Sequence, residues 1–161
     1  MKRDKDQSGI KTNFRQANVL VIEDNNDHWV IIKQAMQAGL PEVRPVWAST
    51  PQQAISLLEA CHNQEWDLPQ LIFQDLYLPE RRDGWALLRH IKAMPAPYNQ
   101  IPIVMLSSSV TNADITEAYQ FGISSYLVKP TGFEEWIAYF QDLRTYWWET
   151  VTLPPLQYRF W

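Results

Sequence analysis

Short apolar runs alternate along this chain with longer stretches in which apolar residues return every third or fourth position. Asn18-Val-Leu-Val-Ile22 is a continuous apolar run, the pattern of a strand buried on both faces of a sheet. Asp27 is placed to cap a helix running to about Gly39, with Trp29, Ile32, Met36 and Leu40 at helical spacing. Val43 to Trp47 reads as a second short strand. Thr50-Pro51-Gln52-Gln53 joins an N-cap, a proline at the first helical position and a capping-box glutamine, which together start a helix. Leu71-Ile-Phe73 leads into Asp75 as a third strand, and Asp83-Gly84 opens a helix carrying Leu87, Leu88 and Ile91. Ile101 to Leu106 is a fourth strand, Thr111 to Phe121 a helix ended by Gly122, and Ser124 to Val128 a fifth strand. The last helix, about Gly132 to Trp148, repeats Phe133, Trp136, Ile137, Phe140 and Leu143 at spacings of three and four.

Five strands in strict alternation with five helices predict an α/β fold. Parallel strands need crossovers, and crossovers are right-handed, so helices cover both faces of the sheet. The expected architecture is a doubly wound five-stranded parallel sheet, flavodoxin-like, with strand order 2-1-3-4-5. Ligands of such sheets bind outside the carboxyl ends of the strands, at the switch point between strands one and three. The polar residues 1–16 read as a flexible arm, 17–148 as the domain and 149–161 as an aromatic C-terminal tail. The Pro-rich stretch Met94 to Pro102 is a loop inside the domain, because the sheet is incomplete without the fourth and fifth strands beyond it.

Composition narrows the function classes. A chain of 161 residues, 46% apolar and 20% charged, is large enough for one domain with a substantial core. Its net charge of −4, with no basic cluster, lacks the positive field that nucleic acid demands. One cysteine excludes an intramolecular disulfide, which fits a reducing, cytoplasmic setting. No apolar run is long enough to cross a bilayer. Aromatic content stands apart: eight Trp and seven Tyr crowd toward the C-terminus, more than one helix face can bury against a sheet. That surplus points to a homodimer formed by the fourth and fifth helices, the fifth strand and the tail.

The predicted topology gathers the polar residues that end each strand. These are Glu23-Asp24, Asp75, Ser107-Ser108 and Lys129-Pro130. Carboxylates sharing one crevice repel unless a cation joins them, and oxygen-only ligands suit Mg²⁺. A lysine facing them can neutralise phosphoryl oxygens as a point charge, and a serine hydroxyl can donate to the same atoms. The set fits phosphoryl transfer to a carboxylate. Each member alone has an ordinary role as a cap, turn residue or solvated charge. Their joint placement on four strand ends of one sheet is what selects the chemistry. His28, His62 and His90 share no metal-ligand spacing and read as surface or partly packed, and Cys61 extends the buried face of Ala54, Leu57 and Leu58.

The runs Val19-Leu-Val-Ile-Glu-Asp24, Leu71-Ile-Phe-Gln-Asp75-Leu-Tyr-Leu-Pro79, Pro102-Ile-Val-Met-Leu-Ser107 and Tyr126-Leu-Val-Lys-Pro130 resemble the receiver domains of two-component response regulators. The resemblance extends over about residues 17–147. It implies that Asp75 is the phosphoacceptor, with Glu23, Asp24, Asp75 and the Tyr77 carbonyl around Mg²⁺. It implies too that Ser107 and Lys129 contact the phosphoryl group, that Ser107 and Tyr126 form the switch, and that Tyr77 and Ser109 tune the rate. The Lys129–Pro130 bond is expected to be cis. Three features depart from the common pattern: Gly84 lies one residue late after Asp75, the first acid is Glu23 rather than aspartate, and Tyr77 is bulky. Tyr146-Trp-Trp-Glu-Thr-Val-Thr-Leu-Pro-Pro155 is similar to the tail of single-domain receivers that partner bacterial phytochromes. The implied partner is a sensor histidine kinase of that type, and the implied role is phosphoacceptor signalling through protein contacts, with catalysis only of the chain's own phosphorylation and dephosphorylation. Two rival readings are a haloacid-dehalogenase-type phosphatase and a phosphorylation-independent pseudo-receiver. The first wants a second aspartate where Tyr77 stands, and the complete acid, serine and lysine set opposes the second.

Overall fold

The computed structural model describes residues 17–63 and 68–146. Five parallel strands, β1 (Asn18–Ile22), β2 (Arg44–Ala48), β3 (Leu71–Asp75), β4 (Ile103–Ser107) and β5 (Ser125–Val128), form one sheet in the order 2-1-3-4-5. The helices between and after them are α1 (Asn26–Gly39), α2 (Pro51–Asn63), α3 (Arg81–Ala93), α4 (Asn112–Gln120) and α5 (Phe133–Arg144). The expected doubly wound architecture is therefore present. The proposed arm at 1–16 and tail at 149–161 lie outside the described residues.

Alternating strand residues feed two separate cores. Leu20, Ile22, Ile72, Ile103 and Met105 face Ala54 and Leu58 of α2, Leu88 and Ile91 of α3, and Ala118 of α4. Val19, Val21, Leu71, Phe73, Val104 and Leu106 face Trp29, Ile32 and Met36 of α1 and Trp136, Phe140 and Leu143 of α5. Because β1, β3 and β4 are buried on both sides along their whole length, Val19–Ile22, Leu71–Phe73 and Ile103–Leu106 within them read as apolar runs without alternation. The α1–α5 pair is close: a Cβ on Gly39 would come within 2.8 Å of the Ile137 carbonyl oxygen.

Some boundaries and faces differ from those the sequence pattern predicts, each for a local reason. Helix α1 is capped by Asn25, whose side chain accepts the N–H groups of Asp27 and His28 at 2.9 and 3.2 Å, so Asp27 lies inside the first turn. Helix α3 starts at Arg81 rather than at Asp83, because the Asp83 carboxylate reaches back to accept the Glu80 N–H at 3.1 Å. Strand β4 starts only after the 3₁₀ turn Tyr98–Gln100 and Pro102. On α5, Trp136, Phe140 and Leu143 are buried, Ile137 is half-buried, and Phe133, expected in the core stripe, is exposed at the helix start. Tyr139, which lies off that stripe, packs edge-on against Phe73 and Phe140, and burial pushes its hydroxyl pKa upward.

Candidate functional site

The site forms where the central strands end. Glu23 follows β1 and is fully buried. Its N–H donates to the Ala48 carbonyl at 3.1 Å, and the Glu23 carbonyl accepts the Trp47 indole N–H at 2.8 Å. These bonds hold Glu23 as an extra sheet position beyond Ile22, while the next residue, Asp24, is exposed. The chain then turns, and the Asn25 N–H donates to Glu23 Oε1 at 3.2 Å. Asp75 is the last residue of β3, nearly buried, and its Oδ1 accepts the Tyr77 N–H at 3.0 Å. Lys129 follows β5, where its N–H still pairs with the Ser107 carbonyl at 2.9 Å.

Lys129 crosses the crevice. Its Nζ donates to Glu23 Oε2 at 2.7 Å and to Asp75 Oδ2 at 2.8 Å, and it lies 3.1 Å from His28 Nδ1. Burial pushes the Glu23 carboxyl up to about 7, the Asp75 charge adds to that rise, and Lys129 opposes it. Burial works against the Lys129 ammonium, yet the Asp75 and Glu23 carboxylates hold its pKa above the ordinary lysine value. Carboxylate oxygens of Glu23, Asp24 and Asp75 lie within 4.8 Å of one another. Three hard oxygen donors at that spacing, on a rigid sheet edge, fit a divalent cation of the Mg²⁺ or Mn²⁺ kind.

The remaining expected residues occupy the rim. Ser107 ends β4, fully buried, and its Oγ accepts the Ser109 N–H at 3.0 Å. Tyr126 donates its hydroxyl to the Ser109 carbonyl at 3.0 Å, so it is tied to the β4–α4 loop. The Ser109 and Thr111 hydroxyls lie 3.2 Å apart. Tyr77, two residues after Asp75, is exposed. The expected cis bond at Lys129–Pro130 is corrected: among the described residues the cis bonds are Leu78–Pro79 and Ala96–Pro97. Lys129 reaches both acids with a trans bond after it.

Two residues of the site are not legible as such in the sequence. His28, which the sequence presents as a surface or partly packed histidine, stands against Lys129 and 3.7 Å from Glu23 Oε1. Trp47, which the pattern presents as strand filling, stacks on Trp29 with centroids 5.5 Å apart and holds the Glu23 backbone. The one available signal for His28 is its place in the first turn of α1, four residues after Asp24.

A family model described as the response regulator receiver domain matches residues 19–141. A probable methanogenesis regulatory protein, FilR2 of Methanothrix harundinacea, is 31% identical over 129 residues, which is 80% of this chain and 82% of FilR2. Response regulator Rcp1 of Synechocystis is 36% identical over 86 residues, 53% of this chain and 57% of Rcp1. Among solved structures, the phosphorylated cyanobacterial phytochrome response regulator RcpA superposes with a TM-score of 0.75 at 26% identity, over 87% of this chain and 99% of RcpA. The Mn²⁺-bound form of Rcp1 superposes with a TM-score of 0.71 at 26% identity, over 86% of this chain and 99% of Rcp1.

Proposed function

The chain belongs to the response-regulator receiver family, and on that premise we propose that Asp75 is its phosphoacceptor. Proteins of this family are signalling modules that bind a divalent metal, rather than enzymes in the ordinary sense. The observation that carries the reading is the Lys129 ammonium bridging Glu23 and Asp75 at 2.7 and 2.8 Å, with Asp24 beside them.

In the proposed reaction an Asp75 carboxylate oxygen attacks phosphorus of a phosphohistidine on a sensor histidine kinase. The new O–P bond forms as the P–N bond breaks, and the departing imidazole keeps that electron pair. Negative charge on the peripheral phosphoryl oxygens is met by the Lys129 ammonium, the Ser107 hydroxyl and backbone N–H groups after β4. Glu23, Asp24, Asp75 and the Tyr77 carbonyl would hold Mg²⁺, which when bound supplies positive charge to the transferring oxygens. The chain thus catalyses only its own phosphorylation and dephosphorylation, with Tyr77 and Ser109 setting the rate of loss. Ser107 and Tyr126 act as the switch: drawing Ser107 toward a phosphoryl group moves the loop that holds Ser109, the hydrogen-bond partner of Tyr126.

The names of Rcp1 and RcpA, together with the similarity of the 146–155 segment, support a cytoplasmic kinase partner of the phytochrome type. Among the described residues no helix is long and apolar enough to cross a membrane. A homodimer through α4, β5, α5 and the 149–161 tail, with residues 1–16 as a flexible arm, completes the proposal. Its test is intact-mass measurement after incubation with Mg²⁺ and an acyl phosphate. A stable gain of one phosphoryl group supports the reading. Sustained turnover of the donor would instead indicate a phosphatase, and an unchanged mass a pseudo-receiver. Neither alternative is favoured by the family match or by the complete set of acids, serine and lysine.

A further inference from the structure

A lysine ammonium has three N–H donors and no acceptor. Lys129 has three acceptors within reach: Glu23 Oε2 at 2.7 Å, Asp75 Oδ2 at 2.8 Å and His28 Nδ1 at 3.1 Å. The first two are groups that the chemistry claims, one for the metal and one for the phosphoryl group. His28 is neither, and it carries no charge when its Nδ1 lone pair faces the ammonium. We propose that His28 is the positioning residue for Lys129, the acceptor that keeps the ammonium over the site when Asp75 and Glu23 turn to other partners. This role deepens the reading of Asp75 as phosphoacceptor and rests on it.

The physical need is clear from the side chain itself. Lysine ends a flexible four-carbon stem whose rotamer freedom is given up when the ammonium is fixed. Until phosphoryl oxygens arrive to meet the ammonium, a cation on Glu23 and Asp75 competes for the two carboxylates that hold it, and the His28 contact is the one that neither the cation nor the acyl phosphate claims. The His28 backbone is fixed at the start of α1. It lies in the first turn of α1, where its N–H is capped by Asn25 Oδ1 at 3.2 Å. Its side chain stays 47% exposed along a cleft of about 270 Å³ shared with Ser108, Lys129 and Trp136. Substitution there changes a hydrogen bond without opening a core cavity.

Two variants separate positioning from packing. Asparagine places an acceptor oxygen where imidazole places Nδ1, whereas phenylalanine keeps a ring and deletes the acceptor. In the full chain with Mg²⁺ and acetyl phosphate, His28→Phe is expected to slow phosphorylation about five- to tenfold, the change one modest hydrogen bond produces. His28→Asn is expected to stay near the parent rate. In a Lys129→Met background His28→Phe should add nothing further. A readout without donor or metal accompanies these: heteronuclear NMR of the Lys129 ammonium, whose proton exchange should quicken in His28→Phe and not in His28→Asn. Equal rates and equal ammonium exchange in parent and His28→Phe would overturn the inference, as would a fall in both variants alike. A parent chain that gains no phosphoryl group overturns the Asp75 reading instead, and the ammonium measurement then still decides the contact.

Discussion

Gly84 lies so close to the backbone of Leu76 that a Cβ built on it collides with the Leu76 carbonyl oxygen. The glycine sits in the first turn of α3, and its carbonyl accepts the buried Gln74 amide at 2.8 Å. Leu76 comes directly after Asp75, so this contact sets how the helix meets the end of β3. Gly84→Ala is expected to destabilise the chain by about 1–3 kcal/mol, the cost of overpacking against atoms that cannot rotate away. Chemical denaturation measures it. A midpoint equal to the parent's would show that α3 can retreat without cost.

Asp75→Asn should abolish the mass gain from an acyl phosphate and leave the fold in place. The amide keeps an oxygen for the Tyr77 N–H, and Lys129 keeps Glu23, so no buried group loses every partner. Stability within about 1 kcal/mol of the parent is expected. Intact mass and thermal unfolding on the same samples check both halves. An undiminished mass gain in the variant would move the acceptor elsewhere.

Legibility in the sequence depends on which contacts are written locally. Strands β1, β3 and β4 are legible because both faces are buried, and the polar residues just beyond each strand are legible because the topology sends them to one edge. The apolar pattern places strand β2 one residue early, since this edge strand contains Pro45 and is only half-buried. The contact between His28 and Lys129 joins residues 101 apart in sequence and depends on the rotation of α1 about its axis, which no local pattern records. The exposed ring of Phe133 shows the same limit: helical spacing assigns a face, but not where the sheet beneath it ends.

The raised Glu23 pKa gives the metal-free chain a pH dependence of definite sign. The carboxyl titrates near 4.5 when unfolded and is pushed up to about 7 in the native state by burial first and by Asp75 second. Between those values the native state holds the extra proton, so stability is greatest below about pH 4.5 on this account and falls as pH rises through about 7. Metal binding requires the ionised form, so Mg²⁺ affinity is expected to rise across the same window. Mg²⁺ titrations followed by tryptophan fluorescence suit this, because Trp47 is bonded to the Glu23 backbone. Glu23→Gln should flatten the trend, and a dependence that survives in that variant would assign it to another group.

Tyr77 joins two roles in one residue. Its N–H donates to Asp75 Oδ1, while the residue as a whole stays 42% exposed. Tyr77→Ala keeps the backbone bond and removes the ring. Loss of the phosphoryl group should then quicken several-fold, because water gains a path to phosphorus. The decay of the phosphorylated mass after donor removal measures it, and equal lifetimes would rule out shielding by the ring.

The proposed dimer rests on the face formed by α4, β5 and α5. Tyr119 of α4 and Val128 of β5 are exposed there, and Tyr126 lies half-buried on β5 with its hydroxyl on Ser109. Aromatic residues bury large areas and dominate interface energies, and a two-fold pair is the commonest way to cover such a face. The packing of Tyr139 against Phe73 and Phe140 removes one aromatic from the surplus and leaves the face itself uncovered among the described residues. Because Tyr126 shares a loop contact with Ser109, whose N–H is bonded to Ser107, phosphorylation and association should be coupled by about 1–3 kcal/mol. Light scattering at tens of micromolar is expected to give a dimer whose dissociation constant changes with phosphorylation. Tyr119→Glu should weaken it by placing a charge in the seam. The same measurement on a chain ending at Glu149 locates the contact: retention of the dimer assigns it to the helices and β5, loss to the tail. A monomer in the full chain at that concentration, with and without the phosphoryl group, would refute the assembly.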